Sequence, residues 1–177
     1  MKIRRAEEKD IPRIDALLSQ VLEIHAALRP DLFVSGTRKY TDEELKGILK
    51  DENTPVFAAV DENDVLAGYA FCVMNDYSGS NNMQPVRSLY IDDLCVDENA
   101  RGAHVGRSLY EYVMAYAKEQ GCYSVTLNVW EAMTAPGLSM TGWASASRRQ
   151  SWKKSSEHKE KDPPGRLLKM SATEGGN

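Results

Sequence analysis

One stretch constrains the fold of this chain more than any other: an apolar strand, interrupted by two acids, runs into a glycine-containing loop that opens an amphipathic helix. Ser88 to Val96 is rich in the residues that favour a pleated, half-buried surface, with Asp92 and Asp93 inside it. From Val105 to Gln120, Leu109, Val113 and Ala117 recur at four-residue steps, which is one face of a helix, and Gly121 is placed to end it. Between the two lies Asp97-Glu98-Asn99-Ala100-Arg101-Gly102-Ala103-His104. A loop of this kind presents unpaired backbone N–H groups at the positive end of a helix dipole, which suits a phosphate or pyrophosphate. The loop is neither a Walker loop nor a dinucleotide fingerprint, because G-x-x-x-x-G-K-[ST] and G-x-G-x-x-G are both absent. Taken alone it is equally an ordinary strand-to-helix connection.

The rest of the first 132 residues is periodic. Ile3 to Ala6 predicts a short strand. Asp10 is a candidate N-cap and Pro12 is tolerated in the first helical turn. Ile11, Ile14, Leu17, Leu18, Val21, Leu22 and Leu28 then mark one helical face, closed at Arg29-Pro30. Thr41-Asp42-Glu43-Glu44 is a capping box opening a second helix through Lys50. The period then shortens to two. Pro55 to Val60 and Val65 to Met74 read as strands around an acidic turn, with Gly68 marking a bulge. Tyr123 to Trp130 predicts a further strand. The element order is β-α-α-β-β-β-α-β.

Charge divides the chain at the point where the periodicity stops. Residues 1–132 hold 14 Lys and Arg against 22 Asp and Glu, whereas residues 133–177 hold 8 against 4. We therefore expect one folded domain over residues 1–132 and a basic, low-complexity tail over 133–177 that is disordered from about Ser145. Without interleaved aromatics the tail is not expected to bind nucleic acid. Apolar runs fall short of the roughly 20 residues of a membrane span, so no membrane partner is expected. No secretory signal is evident, which makes the cytoplasm the expected location. The three cysteines, Cys72, Cys95 and Cys122, lie in apolar surroundings and read as reduced core residues, and no metal site is expected. Tyr90, Tyr110, Tyr112 and Trp130 read as packing residues.

The loop resembles the acetyl-CoA signature R/Q-x-x-G-x-G/A of the GNAT N-acetyltransferases, here Arg101-Gly102-Ala103-His104-Val105-Gly106. His104 stands where the first signature glycine is usual. The element order resembles the family over about residues 2–131. The resemblance implies an α/β (α+β) fold with a mixed, mostly antiparallel central sheet flanked by helices. It also implies acetyl transfer from acetyl-CoA to a primary amine of a small molecule or peptide, by direct attack.

The resemblance further implies roles. Leu94 would offer its N–H to the thioester carbonyl, Cys95 and Val96 would line the pantetheine arm, and Arg101, Gly102, Ala103, His104, Val105, Gly106 and Arg107 would hold the pyrophosphate. Asn128 joins the cofactor-contacting set. The fourth and fifth strands would splay to admit the arm. The acid pair resembles diamine and polyamine acetyltransferases. By that likeness Asp92 is a water-mediated base and Asp93 a substrate ligand. Adjacent strand residues point to opposite faces, so the two are not expected to face each other. His25 and Arg29 fall where the acceptor wall would be. A homodimer is compatible with the family. A non-catalytic acyl-CoA-binding or protein-interaction module is the alternative.

After Glu131 the likeness stops. The family continues with an Asn, a helix bearing Phe-Tyr, then Gly-Phe, and that tyrosine protonates the leaving thiolate. Starting each codon one base earlier forces Asp from Met133-Thr134 and from Met140-Thr141, and Gly from Trp143-Ala144. With permitted synonymous codons the shifted frame reads CNDRARAFYDRLGFRIQKTELEKIL and then stops, with a Tyr where Met140 stands. We read this as a one-nucleotide frameshift near Glu131–Ala132. The expected consequence is an exposed sheet edge after the last strand, low stability and weak turnover.

Overall fold

Backbone hydrogen bonds join the strands into one sheet, and the alternation of their side chains gives that sheet two faces to bury. A computed structural model describes residues 1–127, together with the backbone of 148–151. Its strands are β1 (Lys2–Arg5), β2 (Val56–Val60), β3 (Leu66–Asp76), β4 (Arg87–Val96), β5 (Ser124–Leu127) and β6 (Arg148–Ser151). Its helices are α1 (Ile11–Leu28), α2 (Asp42–Lys50) and α3 (Val105–Glu119), with short 3-10 turns at Glu8–Asp10 and Glu98–Ala100. The strands form one sheet in the order β1-β2-β3-β4-β5-β6. Every pairing is antiparallel except that of β4 with β5, which α3 connects. The architecture is the mixed, mostly antiparallel one expected.

Two cores sandwich the sheet. β2 is buried along its whole length, and alternation sends Phe57 and Ala59 to one face and Val56, Ala58 and Val60 to the other. On the first face Leu109, Val113 and Ala117 of α3 pack over Leu89, Ile91 and Val125. On the second, Ile14, Leu17 and Leu18 of α1 and Leu45 of α2 cover Tyr69, Phe71 and Cys95. Each large side chain buried here contributes about 1.5–3 kcal/mol. Phe57 also meets Tyr112 and Tyr116 edge-on, at centroid distances of 5.2 and 4.9 Å. The three cysteines are free and buried.

The start of α1 differs from expectation. Asp10 makes no side-chain cap to it; the carboxylate instead accepts from the Glu7 N–H at 2.8 Å and from Arg4 at 2.6 Å. The chain enters α1 through the 3-10 turn, so the acid closes the turn before the helix. At α2 the capping box is present: Thr41 Oγ1 accepts from the Glu44 N–H at 3.2 Å, and Glu44 Oε2 accepts from the Thr41 N–H at 2.7 Å.

Both bulges matter for the site. In the first, Ala59 pairs with Gly68 but Val60 with Leu66, so Ala67 is the extra residue. Gly68 serves a close approach instead: a Cβ there would lie 2.8 Å from the Cys95 carbonyl oxygen. In the second, Phe71 pairs with Asp93 but Cys72 with Ile91, so Asp92 is the extra residue of β4.

The tail departs from expectation at one place. Residues 148–151 lie antiparallel to β5, with Leu127 opposite Arg148, so this short stretch caps the edge expected to stay open. An unpaired strand edge is a template for any extended segment.

Candidate active site

The bulge at Asp92 overturns the expected geometry of the acid pair. An extra residue shifts the alternation by one: Leu89 and Ile91 face α3 before it, and Leu94 and Val96 pack against that same core after it. Asp93 and Cys95 consequently turn toward α1 and α2, and the bulged Asp92 reaches the same place. Both carboxylates meet one ammonium. Lys39 Nζ, from the loop between α1 and α2, lies 3.3 Å from Asp92 Oδ2 and 3.8 Å from Asp93 Oδ2.

Around them the site is half-enclosed. Asp93 accepts a hydrogen bond from the buried Tyr69 hydroxyl at 3.2 Å. Burial pushes the Asp93 carboxyl above the ordinary carboxylate range, although Lys39 opposes this. At Lys39 burial works against the charge, but Asp93 and Asp92 outweigh it and hold the ammonium above its ordinary value. Burial lowers His25, against the pull of Asp93. The His25 ring tilts against Phe33, with centroids 4.9 Å apart.

Leu94 and Val96 present their backbone to the other side of β4. The Asp97 N–H donates to the Ala67 carbonyl at 2.9 Å, which sets the phase of the antiparallel ladder. Counting by twos, Cys95 and Asp93 exchange hydrogen bonds with β3, and Leu94 and Val96 do not. Their N–H and C=O groups point away from β3, where β5 would lie. Pairing with β5 runs only from Ser88 to Ile91, so among the described residues no strand meets Leu94 or Val96 on that side. Whether β4 and β5 splay further falls on residues outside the described ones, as do Asn128 and Trp130.

The start of α3 sits beside this open edge. A Cβ on Gly106 would meet Val96 Cγ2 at 3.4 Å and Leu94 Cδ2 at 3.7 Å. The preceding loop turns through two left-handed residues, Gly102 at φ 83° and His104 at φ 58°. The first N–H groups of α3 have no carbonyl of their own helix to bond. Among the described residues, donors that meet no strand thus continue from the β4 edge onto a helix N-terminus.

The other expected residues divide. Arg101, Gly102, Ala103 and His104 are exposed on the loop. Val105 is there through its N–H alone, since its side chain is in the core. Cys95 turns away from the open edge: its thiol is buried against α1, and its backbone pairs with Tyr69. Arg107 forms an ion pair with Glu111 at 2.8 Å, and Arg29 one with Asp31 at 2.7 Å. Lys39 and Tyr69 were not anticipated. Nothing in the local sequence marks Lys39, and Tyr69 is patterned like any other residue of the Val65–Met74 strand.

Among the described residues no three or more His, Cys, Asp or Glu gather as metal ligands, and no helix is long and apolar enough to cross a membrane.

A bulged, acid-bearing strand, whose far edge beyond Ile91 meets no strand among the described residues, leads through a glycine loop to a helix N-terminus, and the family match makes this the frame of an acyl-transfer enzyme. The chain matches the acetyltransferase (GNAT) family over residues 21–136 and belongs to that family; it is a transferase of the N-acetyltransferase class. The fold is similar to that of a tetramutant protein from Bacillus halodurans, at 29% identity and a TM-score of 0.70, covering 75% of this chain and 85% of that one. An acetyltransferase from Vibrio fischeri shares 22% identity at a TM-score of 0.60, over 73% of this chain and 97% of its own. A glucosamine-6-phosphate N-acetyltransferase from Arabidopsis thaliana shares 22% at 0.54, over 75% and 84%. Among curated proteins no sequence matches.

Proposed function

We propose that the chain transfers an acetyl group from acetyl-CoA to a primary amine that enters as a cation. The observation that carries this reading is the convergence of Asp92 and Asp93 on one ammonium position beside the open backbone at Leu94. The N–H groups of residues 103–106 suit the pyrophosphate, and Val96 suits the pantetheine amides. The Leu94 N–H is a donor for the thioester carbonyl oxygen as negative charge develops there; such donors are worth about 10²–10³ in rate. Asp93 takes the proton from the acceptor ammonium, because burial has raised its affinity for a proton toward that of a useful base. Asp92, more exposed, holds the cation. This reverses the division that the family likeness implied.

The C-terminal part is read as out of frame. The family match ends at residue 136, close to the switch in composition, and the shifted frame supplies the Asn, the Phe-Tyr and the Gly-Phe absent here. Sequencing the source DNA across codons 125–160 tests this directly. One missing base near codon 131 supports it, and intact codons overturn it.

For the activity, thermal unfolding is followed with and without acetyl-CoA, and free thiol release is then followed with diamines and lysine peptides. Saturation at a hundredfold excess over Kd is expected to add about 2.7 kcal/mol of stability. The absence of any shift with millimolar acetyl-CoA overturns the donor. A shift without thiol release from any amine leaves an acyl-CoA binder.

A further inference from the structure

The loop between α1 and α2 holds a lysine where the acceptor amine belongs. Its neighbours are pinned on both sides. Arg38 bonds Asp15 of α1 at 3.0 Å and Asp42 of α2 at 2.6 Å. Tyr40 stacks on Phe71 of β3, with centroids 6.1 Å apart. Between these anchors Lys39 extends toward β4 and sets its Nζ 3.3 Å from Asp92 and 3.8 Å from Asp93. Its side chain stays 39% exposed, so the contact is not a sealed structural pair. The next residue after the acids is Leu94, whose N–H faces the open edge of β4. An amine, a buried carboxylate 3.8 Å from it and a backbone donor that no strand meets among the described residues therefore occur together.

We propose that Lys39 is a tethered acceptor: its amine occupies the acceptor position and is acetylated within the same molecule. This rests on acetyl-CoA being the donor, as above. In the step, Asp93 takes a proton from the ammonium. The Lys39 Nζ forms a bond to the acetyl carbonyl carbon, and the carbon–sulfur bond breaks. Of the two protons the nitrogen gives up, one ends on the CoA sulfur and the other passes from Asp93 to solvent. The product is a neutral amide, which leaves the acid pair open to an external cation.

The test has two arms. In the first, the full chain is incubated with deuterated acetyl-CoA and its peptides are mapped by mass. One acetyl group on Lys39 is expected, at a rate independent of protein concentration. It is absent in Lys39→Arg and slowed about a hundredfold or more in Asp93→Asn. The second arm needs no donor: putrescine is titrated calorimetrically into the wild type and Lys39→Gln. The variant is expected to bind roughly fivefold more tightly, the scale of one charge contact in water, and to lose that gain when Asp92→Asn is added.

If acetyl-CoA shifts the melting temperature while Lys39 stays unmodified, or is labelled no faster than other exposed lysines, the self-transfer is overturned and the donor reading stands. Equal putrescine binding by Lys39→Gln and wild type overturns the placement of Lys39 in the acceptor position. If acetyl-CoA produces no shift, the donor reading fails and the self-transfer fails with it.

Discussion

The hydroxyl of Tyr69 donates to Asp93 Oδ2 across 3.2 Å, tying the centre of β3 to the acid pair of β4. Burial pushes the phenol well above its ordinary value, so it remains a donor at any working pH. The bond favours ionised Asp93, while burial of the carboxyl disfavours it more strongly. The acid limb of kcat/KM is therefore expected above the ordinary carboxylate range. Tyr69→Phe should move it to higher pH, and Asp93→Asn should abolish it and cut kcat/KM by about 10²–10⁴. Stability runs the opposite way from the same raised value: the contribution of Asp93 is complete below its unfolded pKa and is lost as pH rises through the folded one. A pH–rate profile of the three proteins checks this; an unmoved limb in Tyr69→Phe counts against the coupling.

His104 holds φ 58° at the N-cap of α3, where the family signature usually has glycine. The left-handed region costs an L-residue about 1–2 kcal/mol. His104→Gly relieves it, less the greater freedom of glycine in the unfolded chain, for a net gain of about 0.5–1 kcal/mol. Urea unfolding measures this, and a lower midpoint refutes it. The acetyl-CoA Kd should fall in the same variant, because the loop N–H groups become easier to approach.

Gly68 is a point of close approach between strands. A Cβ there would lie 2.8 Å from the Cys95 carbonyl oxygen and 3.3 Å from both Leu109 Cδ1 and Val105 Cγ1. The nearest atom is backbone and cannot swing aside. Gly68→Ala is expected to cost about 1–3 kcal/mol, seen as a lower urea midpoint at unchanged slope. A neutral result shows that β4 yields.

Arg13 of α1 forms an ion pair with the buried Asp97, whose carboxylate also accepts from the Asn99 N–H at 2.8 Å. That turn leads into the signature loop. Arg13→Ala leaves Asp97 short of its cation and should cost about 1–3 kcal/mol. It is expected to raise KM for acetyl-CoA more than KM for the amine. Equal changes in both assign the pair to stability alone.

The sequence by itself determined the order of the three helices and of β1 to β5, because burial on a sheet imposes a period of two and on a helix one of 3.6, whereas β6 and the 3-10 turns carry no such pattern. Leu109, Val113 and Ala117 fall on the buried face of α3, and the Thr41–Glu44 capping box closes as read. The turn into α3 at residues 101–104 was legible as a loop at a helix start, because glycine marks the left-handed turn at Gly102. Only the tertiary structure decided the acid pair. Period two sets Asp92 and Asp93 on opposite faces, but the bulge against Phe71 and Cys72 brings both to one side. A bulge is fixed by pairing with a partner strand, and no local pattern at Asp92 reports it. Lys39 was invisible for a similar reason. It lies 53 residues from Asp92 along the chain and reaches it only because Arg38 and Tyr40 pin their loop to α1, α2 and β3.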